Sequence, residues 1–343
     1  MKKGITIIIP VYNGAGHIRR CISSILSQEY ADCQIIIVDD GSVDDTLLIC
    51  REMVGKNPCF TIIHQENQGV SAARNRGIMT AEREWTYFLD ADDELDENAL
   101  KMMRDALDNS CQWIVMNYRK QVDGFKEITS EDIWVTEKTY FHGKKGFTEL
   151  LNSGLFKYPC GKLYRTEIIQ VHQVQFPLKV VYGEDIRFNL QYFCYVNKYS
   201  VQPSSAFIYH IRQGEGAGSS YYEDSFEMQM KIDREILDTV RNSYGLGEET
   251  IRKINPYFYK QGINTATAYL TIWKNLPFSL RYKEIWKIMK DFRFRSFLKY
   301  ERDCRRINRV DYLLLERGHF LGYYFIHYVY TGLKKLMKRE EKL

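Results

Sequence analysis

Apolar residues fall into two alternating patterns over about the first 120 positions. Residues 5–11, 34–39, 60–64, 85–90 and 113–118 are short runs dominated by Ile, Val, Phe, Tyr and Trp, as in strands covered on both faces. Between them the apolar positions spread to helical spacing, as at Ile18, Cys21, Ile22, Ile25 and Leu26. A second helix is predicted to begin at an N-cap supplied by Asp44 or Asp45, a third to run over 70–81, and a fourth to be capped by Asp96. Strands joined by helical crossovers imply an α/β fold with a mostly parallel central sheet and right-handed connections. After Phe147 the pattern breaks into brief helices and irregular loops, and from about Phe226 it is almost wholly helical. The organisation expected is an α/β unit over 1–220, in halves 1–120 and 121–220, followed by a helical region over 221–343.

Acidic residues gather where those strands should end. Asp39 and Asp40 close one apolar run, Asp90 and Asp92 close another, and Glu184 and Asp185 form a pair far downstream. Ligands of α/β sheets bind at the carboxyl ends of strands. Carboxylates crowded there repel one another and stay partly protonated unless a cation neutralises them, so the cluster points to a divalent metal and, through it, to a phosphate. Glu184 and Asp185 follow a glycine and open an apolar-periodic segment containing Ile186, Leu190, Phe193 and Cys194, which places them at a helix N-terminus. The helix dipole there favours the ionised form while burial opposes it, and a general base lies between those extremes.

Composition narrows the class. The 343 residues with 45% apolar content can bury one large core and a second smaller one. Eight cysteines lack any CxxC or zinc-like spacing and no signal peptide precedes the first strand, so a reduced cytoplasmic setting is expected. No stretch approaches the ~20 apolar residues of a membrane span; residues 320–333 come nearest and are interrupted by His327. Charge is uneven: from Arg281 onward there are 17 Lys/Arg against 8 Asp/Glu, or +9, leaving 31 against 36, or −5, for residues 1–280. These basic residues are interleaved with Trp286, Phe292, Phe294, Phe297, Tyr300, Tyr323, Tyr324 and Tyr328. The mixture suits an anionic membrane surface or a polyanion, and equally a solvated helical face whose aromatics pack inward. No nucleic-acid partner is expected, and a homo-oligomer stays open.

Four segments carry a family resemblance: Ile9 to Asn13 (Ile, Pro, Val, Tyr, Asn), Val38 to Ser42 (Val, Asp, Asp, Gly, Ser), Asn67 to Gly77 (the helix start containing Gly69, Ser71, Arg74 and Asn75) and Phe88 to Asp93 (Phe, Leu, Asp, Ala, Asp, Asp). In this order, each at a strand end or helix start, they resemble family 2 glycosyltransferases. Gly183 to Phe188 and residues 158–165 are similar to the bacterial capsule, exopolysaccharide and cell-wall members. The resemblance implies the GT-A fold and inverting transfer of a hexosyl or N-acetylhexosaminyl group from a UDP-sugar to a glycan or lipid-linked glycan.

Residue roles come from the same resemblance. Asp40 accepts the uracil N–H, with Tyr12 nearby and Pro10 holding the loop extended; Asp39 supports that loop within the nucleotide site, and Asn13 and Ser71 are nucleotide-binding. Arg74 reaches the base or the phosphates. In the DXD-type motif of Asp90, Ala91 and Asp92, one carboxylate meets the ribose and the other holds Mn²⁺ or Mg²⁺, with Asp92 the first metal ligand, Asp90 beside it, and Asp93 capping the next element. Asp185 is the general base, with Glu184 next in line. The stretch Tyr209, His210, Ile211, Arg212 with Gly214, Gly216 and Gly218 resembles a loop that closes over the diphosphate. Arg212 would bind a phosphate there, His210 would contact phosphate or metal, and Lys162 matches a lysine on the acceptor side. A catalytically silent sugar-nucleotide-binding protein, or a membrane-surface scaffold acting through the basic tail at the inner face of the cell membrane, is the alternative.

Overall fold

The structure is a computed structural model in which residues 1–29, 32–122, 128–130, 133–180, 182–211, 224–273 and 275–327 are described. The chain divides into two compact units, Met1–Arg212 and Gln213–Leu343.

The first unit opens as expected. Strand β1 (Lys2–Val11) is followed by α1 (Ile18–Leu26), β2 (Gln34–Asp39), α2 (Thr46–Val54), β3 (Phe60–His64), α3 (Val70–Thr80) and β4 (Arg83–Phe88). Ile5, Ile7, Ile8 and Ile9 of β1 are all fully buried, because β1 lies between β2 and β4 and is covered on both faces. The strands β3, β2, β1 and β4 pair in parallel throughout. Next come β5 (Glu94–Leu95), α4 (Ala99–Ala106), β6 (Trp113–Val122), β7 (Ile128–Ser130), β8 (Thr139–His142), α5 (Phe147–Asn152), β9 (Lys162–Arg165), α6 (Thr166–Val171), α7 (Glu184–Phe193) and β10 (Lys198–Ile211). Together they form one sheet in the order β3-β2-β1-β4-β9-β6-β10-β5, with β7 on β6 and β8 on β10. Beyond β4 the sheet turns mixed: β9 runs antiparallel between β4 and β6, whereas β6 and β10 are parallel.

Asp96 does not cap α4 as expected. The helix starts three residues later, after Asn98, and the Asp96 carboxylate is taken by Arg119 of β6, whose Nε donates at 2.6 Å. A bidentate pair with a guanidinium outcompetes a single capping bond.

The second unit contains α8 (Ser225–Asp238), a π-helical turn (Thr239–Ser243), α9 (Glu248–Thr271), α10 (Phe278–Lys290), α11 (Phe292–Asp303) and α12 (Arg309–Glu316). Its core gathers Phe226, Met230, Tyr269, Ile285, Met289, Phe294, Leu298 and Leu315. Among the described residues, no helix is long and apolar enough to cross a membrane.

Candidate active site

The ends of β1, β2 and β4 build one side of the site. Pro10 pairs with Val38 of β2 but lies beyond Ile8, the last β1 residue paired with β4, so the N–H it lacks is not needed on that side. The chain then turns through Tyr12, which is half-exposed, and Asn13, whose φ of 49° an asparagine tolerates. Asn13 laces this turn to the loop after β2: its N–H donates to Ser42 Oγ and its Oδ1 accepts from Val43 N–H, both at 2.9 Å. Gly41, in that loop, has φ +77°, and a Cβ there would stand 2.8 Å from the Asn67 nitrogen ahead of α3, so the position requires glycine.

Asp39 and Asp40 are both buried. Asp39 bonds His64 Nδ1 at 2.6 Å and accepts from Ser42 N–H at 3.3 Å. Asp40 accepts from Gln65 Nε2 at 2.7 Å and from the N–H groups of Gln68 at 3.0 Å and Gly69 at 2.7 Å. Its carboxylate therefore anchors the start of α3 to the end of β2, a supporting role expected of Asp39. Three of its roughly four acceptor positions are used. Ser71 in the first turn of α3 is buried, and its Oγ finds no hydrogen-bond partner among the described residues.

Past β4 the chain makes a tight turn closed by Asp93 N–H donating to the Asp90 carbonyl at 3.0 Å. That turn brings three carboxylates together: oxygens of Asp90, Asp92 and Asp93 all lie within 4.8 Å of one another. Asp93 is thus a member of the cluster and not the cap that the sequence suggested, because the turn folds it back beside Asp90. It is buried and accepts from the His210 N–H at 3.0 Å. Arg20 of α1 steadies the turn by donating to the Asp92 carbonyl at 2.7 Å, a contact invisible at a separation of 72 residues.

Arg74 departs most from expectation. It is buried on α3, with its guanidinium 5.1 Å from the Phe176 ring centroid. One terminal nitrogen donates to Asp90 Oδ1 at 2.8 Å and the other to Asp185 Oδ1 at 2.7 Å, with Glu184 at 3.9 Å. Both terminal nitrogens thus meet carboxylates of this chain, where the expectation had them reaching for a base or phosphate, and Nε, buried, finds no partner among the described residues. The bridge joins the cluster after β4 to the start of α7. Asn75 supports it from the next position: its Nδ2 donates to the Phe176 carbonyl at 2.8 Å and its Oδ1 accepts from Phe176 N–H at 2.9 Å.

Glu184 and Asp185 open α7 after Gly183, whose φ is +81°. Burial is the largest influence on Asp185 and pushes its carboxyl up to about 7; Arg74 opposes this, while Glu184 and Asp90 add to it. A carboxyl near 7 is matched to taking a proton at neutral pH.

Two side chains expected at the acceptor or phosphate are turned inward. Lys162 is 2% exposed and its Nζ donates to the carbonyls of Tyr158 and Cys160. Desolvation pushes this ammonium down to about 7, and its Nζ faces the protein interior instead of the acceptor side. Asn189, fully buried, donates to the same loop at the Phe156 and Tyr158 carbonyls, at 2.7 and 3.0 Å. His210 is buried on β10 with its Nε2 3.0 Å from Glu94 Oε1, a carboxylate of this chain where a phosphate or metal contact was expected. Arg212 and the glycines after it lie outside the described residues.

Residues 6–172 match the family model described as glycosyl transferase family 2. Over that span, just under half of its length, the chain is similar to the family 2 glycosyltransferases. It is 31% identical over 176 residues to EpsH of Bacillus subtilis, covering 51% of each chain. To the glycosyltransferase GlyG of Streptococcus pneumoniae it is 30% identical over 181 residues, covering 50% of this chain and 60% of the relative. To the poly(ribitol-phosphate) β-N-acetylglucosaminyltransferase TarS of Staphylococcus aureus it is 27% identical over 247 residues, covering 68% and 40%. The matches thus span about half the length of the curated relatives. A crystal structure of residues 1–349 of S. aureus TarS, in complex with UDP-GlcNAc, is similar with a TM-score of 0.67 at 20% identity, covering 94% of this chain and 92% of that one. At that identity the likeness establishes the fold, GT-A with a helical C-terminal region.

Proposed function

We propose that the protein is a metal-dependent inverting glycosyltransferase that moves a hexosyl or N-acetylhexosaminyl group from a UDP-sugar to a glycan or lipid-linked glycan in cell-surface polysaccharide synthesis. The observation that carries this reading is the Arg74 bridge, with Asp90 on one nitrogen at 2.8 Å and Asp185 on the other at 2.7 Å. It holds a carboxyl suited to base catalysis beside a carboxylate cluster suited to a cation.

Asp90, Asp92 and Asp93 fit Mn²⁺ or Mg²⁺, since all three offer hard oxygen donors and their oxygens share one locus. When bound, such an ion would neutralise charge developing on the departing diphosphate. Uridine would lie over the β1 and β2 ends, where Asp40 has one acceptor position left for the ring N–H, Tyr12 offers a half-exposed ring, and the buried Ser71 hydroxyl awaits a partner. Asp185 would take the acceptor hydroxyl's proton as that oxygen attacks the anomeric carbon opposite the leaving group, which inverts configuration. Arg74 would hold Asp185 in place and oppose its protonation. The basic charge of the C-terminal region supports placement at the inner face of the cell membrane.

The test is a panel of UDP-GlcNAc, UDP-glucose, UDP-galactose and GDP-mannose, assayed for nucleotide release with Mn²⁺, with Mg²⁺ and in excess chelator. Metal-dependent turnover of at least one UDP-sugar is expected. Turnover of none, or turnover unaffected by the chelator, would contradict the reading.

A further inference from the structure

Helix α10 has an inner face of Ile285, Ile288 and Met289, all buried in the core of the second unit. An amphipathic surface helix should then present a polar outer face. Instead Phe278, Tyr282 and Trp286 stand four residues apart along it, exposed by 58, 42 and 49%. At about 6 Å per step the three rings form a stripe of roughly 12 Å. The Phe278 and Tyr282 rings stack on each other with centroids 6.2 Å apart. Basic groups edge the stripe: Arg281 lies 5.6 Å from the Phe278 ring, Lys290 lies 5.9 Å from the Trp286 ring, and Lys283 and Lys287 are exposed. The lone acidic residue of α10, Glu284, is already paired with Lys287 at 2.6 Å. Phe292, which opens α11, adds another ring at 79% exposure.

We propose that the outer face of α10 is an interfacial anchor that seats on an anionic lipid bilayer. Rings of Trp, Tyr and Phe partition into the headgroup boundary while neighbouring lysines and arginines meet anionic lipid, so one surface satisfies both halves of the stripe. A second copy of the chain fits worse, since a two-fold contact of α10 with itself would set lysines against lysines. A soluble polyanion would use the cations but leave the rings in water. The inference deepens the membrane placement proposed above and rests on that placement, not on the transfer chemistry.

The test compares the full-length protein with the triple variant Phe278→Ser, Tyr282→Ser, Trp286→Ser, whose sites are exposed and belong to the second unit. Co-sedimentation is measured with vesicles of phosphatidylcholine containing phosphatidylglycerol and with phosphatidylcholine alone, at low and high salt. The wild type should bind the anionic vesicles in a salt-sensitive way, and the variant should lose at least about tenfold in partitioning, with unchanged UDP binding and far-UV circular dichroism. Equal binding by both proteins would overturn the stripe while leaving membrane placement standing, and no binding by the wild type would overturn both. The proposal also fails if the variant changes only the oligomeric state by sedimentation velocity, or only retention on soluble polyphosphate.

Discussion

An Asp185→Asn substitution should slow transfer and, at neutral pH, make the fold more stable. The Asp185 carboxyl rises from an ordinary 3.8 to about 7, chiefly because burial desolvates it. A rise of that size corresponds to at most roughly 4 kcal/mol by which the fold disfavours the ionised form, and coupling to Glu184, Asp90 and Arg74 makes about 2–4 kcal/mol the reasonable range. Between the two values the folded protein keeps a proton that the unfolded chain has released, so this group makes stability fall as pH rises from about 4 to about 7. Asparagine removes the effect. The variant should match the wild type near about pH 4 and exceed it by the full amount above about pH 7, a gain of roughly 5–15 °C in unfolding midpoint. Because Asp185 is assigned to the acceptor proton, UDP affinity should change no more than a few-fold while the rate of UDP-sugar turnover falls by ~10²–10⁴. Thermal unfolding across that pH range, with calorimetry of UDP and a turnover assay on the same samples, reads all three quantities. A variant no more stable than the wild type near about pH 8 would refute the burial argument, and one that keeps most of its rate would move the base elsewhere, to Glu184 first.

Other substitutions probe the supports. Asp40→Asn sets its NH2 either against the Gly69 N–H or against the donors of Gln65 and Gln68, so it should cost about 1–3 kcal/mol in thermal unfolding and weaken UDP binding in calorimetry. Arg74→Met leaves Asp90 and Asp185 without their shared cation and should destabilise by about 3–5 kcal/mol; Arg74→Lys should restore part of the stability but not the rate, since one ammonium cannot replace two bonds made by separate nitrogens. Lys162 falls to about 7 through desolvation, so the unfolded chain binds more protons above that value and stability should rise with pH from about 7 to about 10. Lys162→Met should abolish that rise, measured as the pH dependence of the unfolding midpoint.

The chemistry-bearing residues were legible wherever a strand end announced them. Asp39, Asp40, Asp90 and Asp92 follow dense apolar runs, and Glu184 and Asp185 follow a glycine at a helix start, so local pattern alone sets them on the sheet edge or helix terminus where they stand. What pattern could not show is pairing across the chain. Arg74 meets Asp185 at a separation of 111 residues, and Arg119 captures Asp96 across 23, so contacts that local reading cannot reach decided the roles of both. Asp93 joins the cluster instead of capping the next element because the chain turns there and brings its carboxylate beside Asp90. β10 escaped because Pro203, Ser204 and Ser205 interrupt its apolar pattern, at the point where its register with β6 shifts. β9 is too short to read because four residues running straight into α6 give no period.

Calorimetric titration of UDP into the wild type and into Asp92→Asn, each with Mn²⁺, with Mg²⁺ and in excess chelator, tests the central claim most directly. The account predicts saturable UDP binding by the wild type that requires the metal, and loss of that binding in an Asp92→Asn protein whose thermal unfolding shows an intact fold. UDP affinity that is the same in chelator as in metal, or that survives the Asp92→Asn substitution unchanged, would contradict it.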